Sequence, residues 1–334
     1  MSQNHERPEM IDRIEGALFG VAAGDALGAP LEFLNASQII EQHGKPVAEM
    51  IGGGWLSVLP GEVTDDTQMT LAVAEGILRA HETGADMVEC VGGMFLRWYA
   101  TRPRDVGQTC AMVLDALSGS DERTESAWHA AARNLFEELH GRTAGNGALM
   151  RTVYPALWFP DADEAASAAV RIGRMTHWHE ASDHALEAYI RAIGSAVRGS
   201  ESAPEARAHA CAILQEVEEL AAAPLRPSGY CVESLKCALH ALESTESFEQ
   251  ALVLAVNLGG DADTVGAITG GLAGAVYGKS AIPERWLARL GNRPNDRTAA
   301  IFCPGDGLND PDGLFLRRLV HLARKAFERQ QARP

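Results

Sequence analysis

The chain has 334 residues, 46% of them hydrophobic and 22% charged. That is enough apolar material for a sizeable core, which excludes a disordered chain and a disulfide-stapled miniprotein. Acidic residues outnumber basic ones 45 to 29, a formal charge of −16. Nucleic-acid phosphates and anionic lipid are repelled by such a field, so neither is an expected partner.

The opening residues carry no signal-peptide core and no 18-residue apolar run is evident, so no membrane insertion is expected. The six cysteines include no CxxC pair, which points to reduced thiols in a cytoplasmic protein rather than to a zinc site.

In chain order, apolar residues at three- and four-residue steps predict helices over 10–28, 69–79, 88–99, 106–117, 126–139 and 162–175. The same period continues over 181–197, 206–221, 231–242, 248–256 and 314–329. Alternation of the β type is almost absent; 58–63 comes nearest, and Pro60 and Gly61 interrupt it. The fold class is therefore all-α, a compact orthogonal bundle of ten or more helices. The candidate linkers 119–125, 198–204 and 222–229 are short, so a single domain over 1–334 is expected.

Gly266, Gly270, Gly274 and Gly278 recur every four residues, along one helix face. Each helical glycine costs up to about 1 kcal/mol relative to alanine, so the stripe implies close backbone approach by a neighbouring helix.

Two acidic clusters precede helical runs: Val63-Thr64-Asp65-Asp66-Thr67-Gln68 and Gly259-Gly260-Asp261-Ala262-Asp263-Thr264. Capping is the simpler account of each one alone, with Thr64 or Asp65 as acceptor and Gln68 completing a box. A cap needs one side-chain oxygen, whereas each cluster supplies two carboxylates and a hydroxyl. Brought together, four carboxylates need a counter-ion, and an all-oxygen set suits Mg²⁺, Mn²⁺ or Ca²⁺.

Asp25, near the end of the first helix, is either exposed or functional, because a buried carboxylate there opposes the helix dipole. Asp105 reads well as the N-cap of the run at 106. The turn Gly145-Asn146-Gly147 can bring backbone N–H groups close to a ligand. In Thr176-His177-Trp178-His179, the second histidine reads as a cap or packing residue. Asp306, Asp310 and Asp312 stand in a Gly/Pro-rich loop, and Arg317 at the twelfth position rules out an EF-hand.

Taken in order, these motifs resemble the ADP-ribosylglycohydrolase family, in particular its bacterial dinitrogenase reductase-activating glycohydrolases. The resemblance rests on Gly16–Gly20, Gly24–Gly28 with Glu32-Phe33, Gly52-Gly53-Gly54-Trp55, Thr64–Thr67, Arg102–Gly107, Gly145–Gly147 with Met150-Arg151, Thr176-His177, Ser228-Gly229-Tyr230 and Asn257–Thr264. It covers about residues 11–290 and leaves 291–334 unassigned.

The resemblance implies a central cleft with two divalent cations, Mg²⁺ or Mn²⁺. It implies Thr64, Asp65, Asp66, Asp261, Asp263 and Thr264 as metal ligands, Asp105 as the catalytic carboxylate, and Glu32 beside the ions or the scissile bond. Asn146, Gly147, His177, Ser228, Gly229 and Tyr230 would line the ADP-ribose site.

The implied reaction is hydrolysis of the N-glycosidic bond of ADP-ribosylated arginine on a protein, releasing ADP-ribose, by an enzyme acting as a monomer. Serine-linked ADP-ribose, O-acetyl-ADP-ribose, a non-catalytic ADP-ribose-binding regulator and a crystallin-like structural role are the alternatives.

Overall fold

The computed structural model describes residues 3–199, 201–291, 301 and 311–332. Helix α1 (Gln3–Gly28) contains the first predicted run. After α2 (Ala36–His43) come α3 (Asp65–Thr83), α4 (Met87–Ala100), α5 (Gln108–Ser118) and α6 (Glu125–Glu138). Short helices α7 (Gly147–Met150) and α8 (Tyr154–Trp158) lead to α9 (Ala162–Gly173) and α10 (Glu180–Arg198).

Helices α11 (Ala203–Gln215), α12 (Glu218–Ala222), α13 (Cys231–Glu243), α14 (Phe248–Asn257) and α15 (Ala262–Tyr277) follow. Then come α16 (Glu284–Leu287) and α17 (Pro311–Gln331). The fold is all-α: among the described residues β structure is limited to isolated bridges, one of which joins Val58 to Gly53 where the sequence offered its nearest strand.

Two predicted runs need correction. The run at 106 starts at Gln108, because Arg102 takes a left-handed backbone, φ +59°, and 101–107 forms a loop. The N-cap is Gly107, with no side-chain cap bond, so Asp105 is not a cap. The run 206–221 divides into α11 and α12 at Glu216 and Val217. A third correction concerns apolar length: Met10–Leu31 is long and apolar enough to cross a membrane, yet 94% of that window is buried within the molecule, as for a core helix.

The glycine stripe of α15 finds its partner in α1, which carries its own at Gly16, Gly20, Gly24 and Gly28. A Cβ on Gly266, Gly270 or Gly274 would collide with the backbone of Gly24, Gly20 or Gly16, and the reverse holds on α1. The two helices therefore run antiparallel in backbone contact. This pairing sets the C-terminal end of α1, with Asp25, beside the N-terminal end of α15, with Asp263.

The main buried apolar cluster draws on residues from Ile14 of α1 to Ala326 of α17. Cys90, Cys110, Cys211, Cys231 and Cys237 are free thiols. Cys303, Asp306 and Asp310 lie outside the described residues, as does any account of the Asp312 side chain.

Candidate active site

The site is built where three helix ends meet. Asp25 is fully buried and reaches from α1 to the start of α3. Its carboxylate accepts from the Thr64 N–H (3.0 Å), the Thr67 N–H (3.1 Å), the Thr64 hydroxyl (2.8 Å) and the Thr67 hydroxyl. The expected local cap is thus replaced by a carboxylate from another helix. Thr64, at the N-cap position, makes no capping bond, and Gln68 instead accepts from the Trp98 indole at 2.8 Å. With the capping work done from α1, Asp65 and Asp66 are left to face the cavity.

The second acidic segment behaves alike. Asp261 is the N-cap of α15 without a capping bond, and its carboxylate accepts from the Asn146 side-chain amide at 2.8 Å. Gly259 and Gly260 both have positive φ, +76° and +66°. Their loop is pinned by Phe33 N–H to the Gly260 carbonyl and Gly260 N–H to the Leu34 carbonyl, both 2.7 Å. This brings Glu32 beside the aspartates. One carboxylate oxygen from each of Glu32, Asp261 and Asp263 lies within 4.8 Å of the others.

One cavity of about 420 Å³ is lined by Glu32, Asp65, Asp66, Asp105, Asn146, Gly147, His177, Gly229, Asp261, Asp263 and Thr264. Its size falls in the range of small-molecule sites. Thr64 lines a much smaller neighbouring space, which it shares with Asp65 and Asp105. Ser228 and Tyr230 are not part of the cavity wall. The Ser228 hydroxyl donates to Glu233 and its carbonyl accepts from Ser234, while Tyr230 bridges to Gly145. These bonds fold the turn that presents Gly229.

His177 supports the glycine turn from beneath. A Cβ on Gly145 or Gly147 would press on its ring at 3.0 Å, which is why the turn is made of glycine. Burial, and then Arg151, push the imidazole down to about 3, so it is neutral; its Nδ1 pairs with the Thr176 hydroxyl at 2.8 Å. Arg151 is fully buried, donates to Thr176 and to Cys110 Sγ, and lies over the Phe95 ring. His179 caps α10 by accepting from the Ala181 N–H at 3.0 Å, as its sequence position suggests.

No lysine or arginine is among the described residues lining the cavity. Burial, and then repulsion from neighbouring carboxylates, hold Asp65, Asp66 and Asp263 well above the usual carboxylate range. Burial likewise pushes Glu32 up to about 8 and Asp25 and Asp105 to about 6. Asp66 Oδ1 is buried without a hydrogen-bond partner. An all-oxygen set with an orphaned carboxylate oxygen and no local positive side chain fits hard divalent cations.

A stability test follows. The folded pKa values lie above the unfolded value near 4, so between them the folded chain binds more protons than the unfolded one. The stability these carboxylates contribute is therefore full below about pH 4 and is lost as pH rises through their folded values. The melting temperature of the cation-free protein is expected to drop between pH 5 and 8.5, and saturating Mg²⁺ or Mn²⁺ to flatten the drop. A cation-free melting temperature that climbs over that interval contradicts the assignment.

The profile of the family described as ADP-ribosylglycohydrolase matches residues 6–328. The chain is 34% identical over 287 residues to the ADP-ribosyl-[dinitrogen reductase] glycohydrolase of Rhodospirillum rubrum, covering 85% of this chain and 92% of that protein. It is 31% identical over 305 residues to the ADP-ribosylarginine hydrolase Tri1 of Serratia proteamaculans, covering 84% and 76%. A solved structure titled ADP-ribosylglycohydrolase-related protein complex superposes with a TM-score of 0.73 at 30% identity, covering 97% of this chain and 99% of the other.

Proposed function

The chain belongs to the ADP-ribosylglycohydrolase family and is a glycohydrolase of ADP-ribosylated substrates, and from that premise we propose that it cleaves the N-glycosidic bond between ADP-ribose and a protein arginine with the help of divalent cations. The observation that carries this reading is the meeting of Asp65-Asp66 and Asp261–Asp263, nearly two hundred positions apart, around one cavity with Asp105. The name of the Serratia relative, an ADP-ribosylarginine hydrolase, favours arginine over serine.

In this reading Thr64, Asp65, Asp66, Asp261, Asp263 and Thr264 would hold two cations, Mg²⁺ or Mn²⁺, with Glu32 alongside. Bound there, the cations would offset the carboxylates' repulsion of the diphosphate and anchor substrate hydroxyls. Asp25 keeps the α3 ligands in position from behind. Asn146 holds Asp261 through one amide hydrogen while the other goes to the Ser234 hydroxyl at 2.9 Å. Gly147 and Gly229 let the backbone come close to the ADP-ribose, over a neutral His177.

As the C–N bond breaks, the guanidine departs and positive charge grows on the ribose; the Asp105 carboxylate stabilises that charge or takes a proton from the attacking water, and that proton ends on the departing guanidine. Free thiols among the described cysteines accord with a cytoplasmic enzyme, and we take it to act as a monomer.

The test is release of free ADP-ribose from arginine-modified protein with and without divalent cation. Release is expected only with cation, and Asp65→Ala and Asp263→Ala are each expected to weaken cation binding and turnover together. Cation-independent release, or variants that bind cation as wild type does, would falsify the reading.

A further inference from the structure

Among the described residues, packing alone does not explain the placement of Phe33. Its backbone is left-handed, φ +66°, a conformation in which a bulky side chain is strained and which persists where surrounding structure enforces it, often at functional sites. The strain gains no burial, since the ring is 67% exposed. The Phe33 N–H donates to the Gly260 carbonyl and the Gly260 N–H to the Leu34 carbonyl, so the turn that carries Phe33 is fixed.

Its ring lies 5.4 Å from that of Trp55, itself 51% exposed. Trp55 follows three glycines with positive φ, Gly52, Gly53 and Gly54, and its indole N–H donates to Glu32. Phe33 lines the carboxylate-walled cavity and Trp55 stands against it and against Glu32, so two solvent-exposed aromatic rings are placed there, one at a cost in backbone strain.

Aromatic faces attract cations, and their negative quadrupoles offer nothing to an anion. A diphosphate is therefore a poor occupant for this corner, and a neutral hydroxyl gains little there. A guanidinium is planar, weakly hydrated and suited to stacking on such rings. We propose that Phe33 and Trp55 form the leaving-group subsite, stacking on the guanidinium of the modified arginine. This rests on the arginine reading above and assigns the residues that would select that linkage.

The test uses the cation-loaded enzyme, ADP-ribosylarginine as substrate and ADP-ribose as competing product. Phe33→Asn tolerates the left-handed backbone and Trp55→Leu removes a ring that is half in solvent, so both are expected to melt within a few degrees of wild type. Each is expected to lower kcat/KM for ADP-ribosylarginine about tenfold or more while leaving the inhibition constant of ADP-ribose unchanged. Trp55→Phe keeps a ring but loses the bond to Glu32, and is expected to lose clearly less kcat/KM than Trp55→Leu.

Wild-type-like kcat/KM in Phe33→Asn and Trp55→Leu overturns the subsite and leaves the arginine reading intact. So does a loss in Trp55→Phe equal to that in Trp55→Leu, which would make the Glu32 bond the operative feature. If wild type releases nothing from ADP-ribosylarginine, the arginine reading and the subsite fall together.

Discussion

Replacing Asp105 with asparagine is expected to lower kcat on arginine-modified protein by about 10²–10⁴-fold, the usual worth of a positioned acid–base group, while ADP-ribose binds within a few-fold of wild type. Asp105 stands on the 101–107 loop, not at a helix cap, so the substitution removes no helix-end bond. The loop is fastened next door, where Arg104 donates to Glu62 at 2.8 Å and to the Leu56 carbonyl. Burial, followed by repulsion from Asp261, lifts the Asp105 carboxyl to about 6, against the pull of the Val106 N–H and Arg104. At pH 7 it is charged yet basic enough to accept a proton. Asparagine keeps the shape and loses both properties. Turnover within threefold of wild type would remove Asp105 from the chemistry and shift the burden to Glu32.

The helices of ten or more residues were legible because a 3.6-residue apolar period needs that much chain to show itself, whereas the eight-residue Ala36–His43 was missed. Gly147–Met150, Tyr154–Trp158 and Glu284–Leu287, at four or five residues each, are too short to display it. The break between α11 and α12 falls at Glu216 and Val217, with neither glycine nor proline to mark it. The acidic segments were legible by their surplus oxygen, and they do face one cavity with Asp105 and Glu32.

The role of Asp25 was hidden, because it depends on which helix start lies across from it. A local rule about caps assigned that work to Thr64 or Asp65 with Gln68, and the tertiary structure reassigned it to Asp25. The same dependence on neighbours explains Ser228 and Tyr230, whose bonds shape the turn that presents Gly229. The glycine repeat of α1 was in plain view, one every four residues from Gly16 to Gly28; Gly16, Gly20 and Gly24 pair with Gly274, Gly270 and Gly266, while Gly28 meets Ala262 and Gly278 lies past the end of α15 against Asp12.

That pairing supports a contrast between two chemically identical substitutions, both of glycine to alanine inside a helix. Gly93→Ala in α4 adds a methyl group that meets nothing within 4 Å, and is expected to stabilise by about 0.5–1 kcal/mol through helix propensity and chain entropy. Gly270→Ala adds one that would overlap the Gly20 carbonyl on α1. Backbone cannot rotate away as a side chain can, so α1 and α15 must part along their length. The expected loss is at least about 3 kcal/mol, at the upper end of overpacking effects and a large share of a typical total of 5–15 kcal/mol. The consequence extends to the site, because the contact of these helices is what sets Asp25 beside Asp263. A Gly270→Ala protein that still folds is therefore expected to bind divalent cations more weakly than wild type, whereas Gly93→Ala binds them equally well. Denaturant unfolding and cation titration of both variants check this. Equal stability and equal affinity would mean that the glycine faces are not what positions the acidic segments.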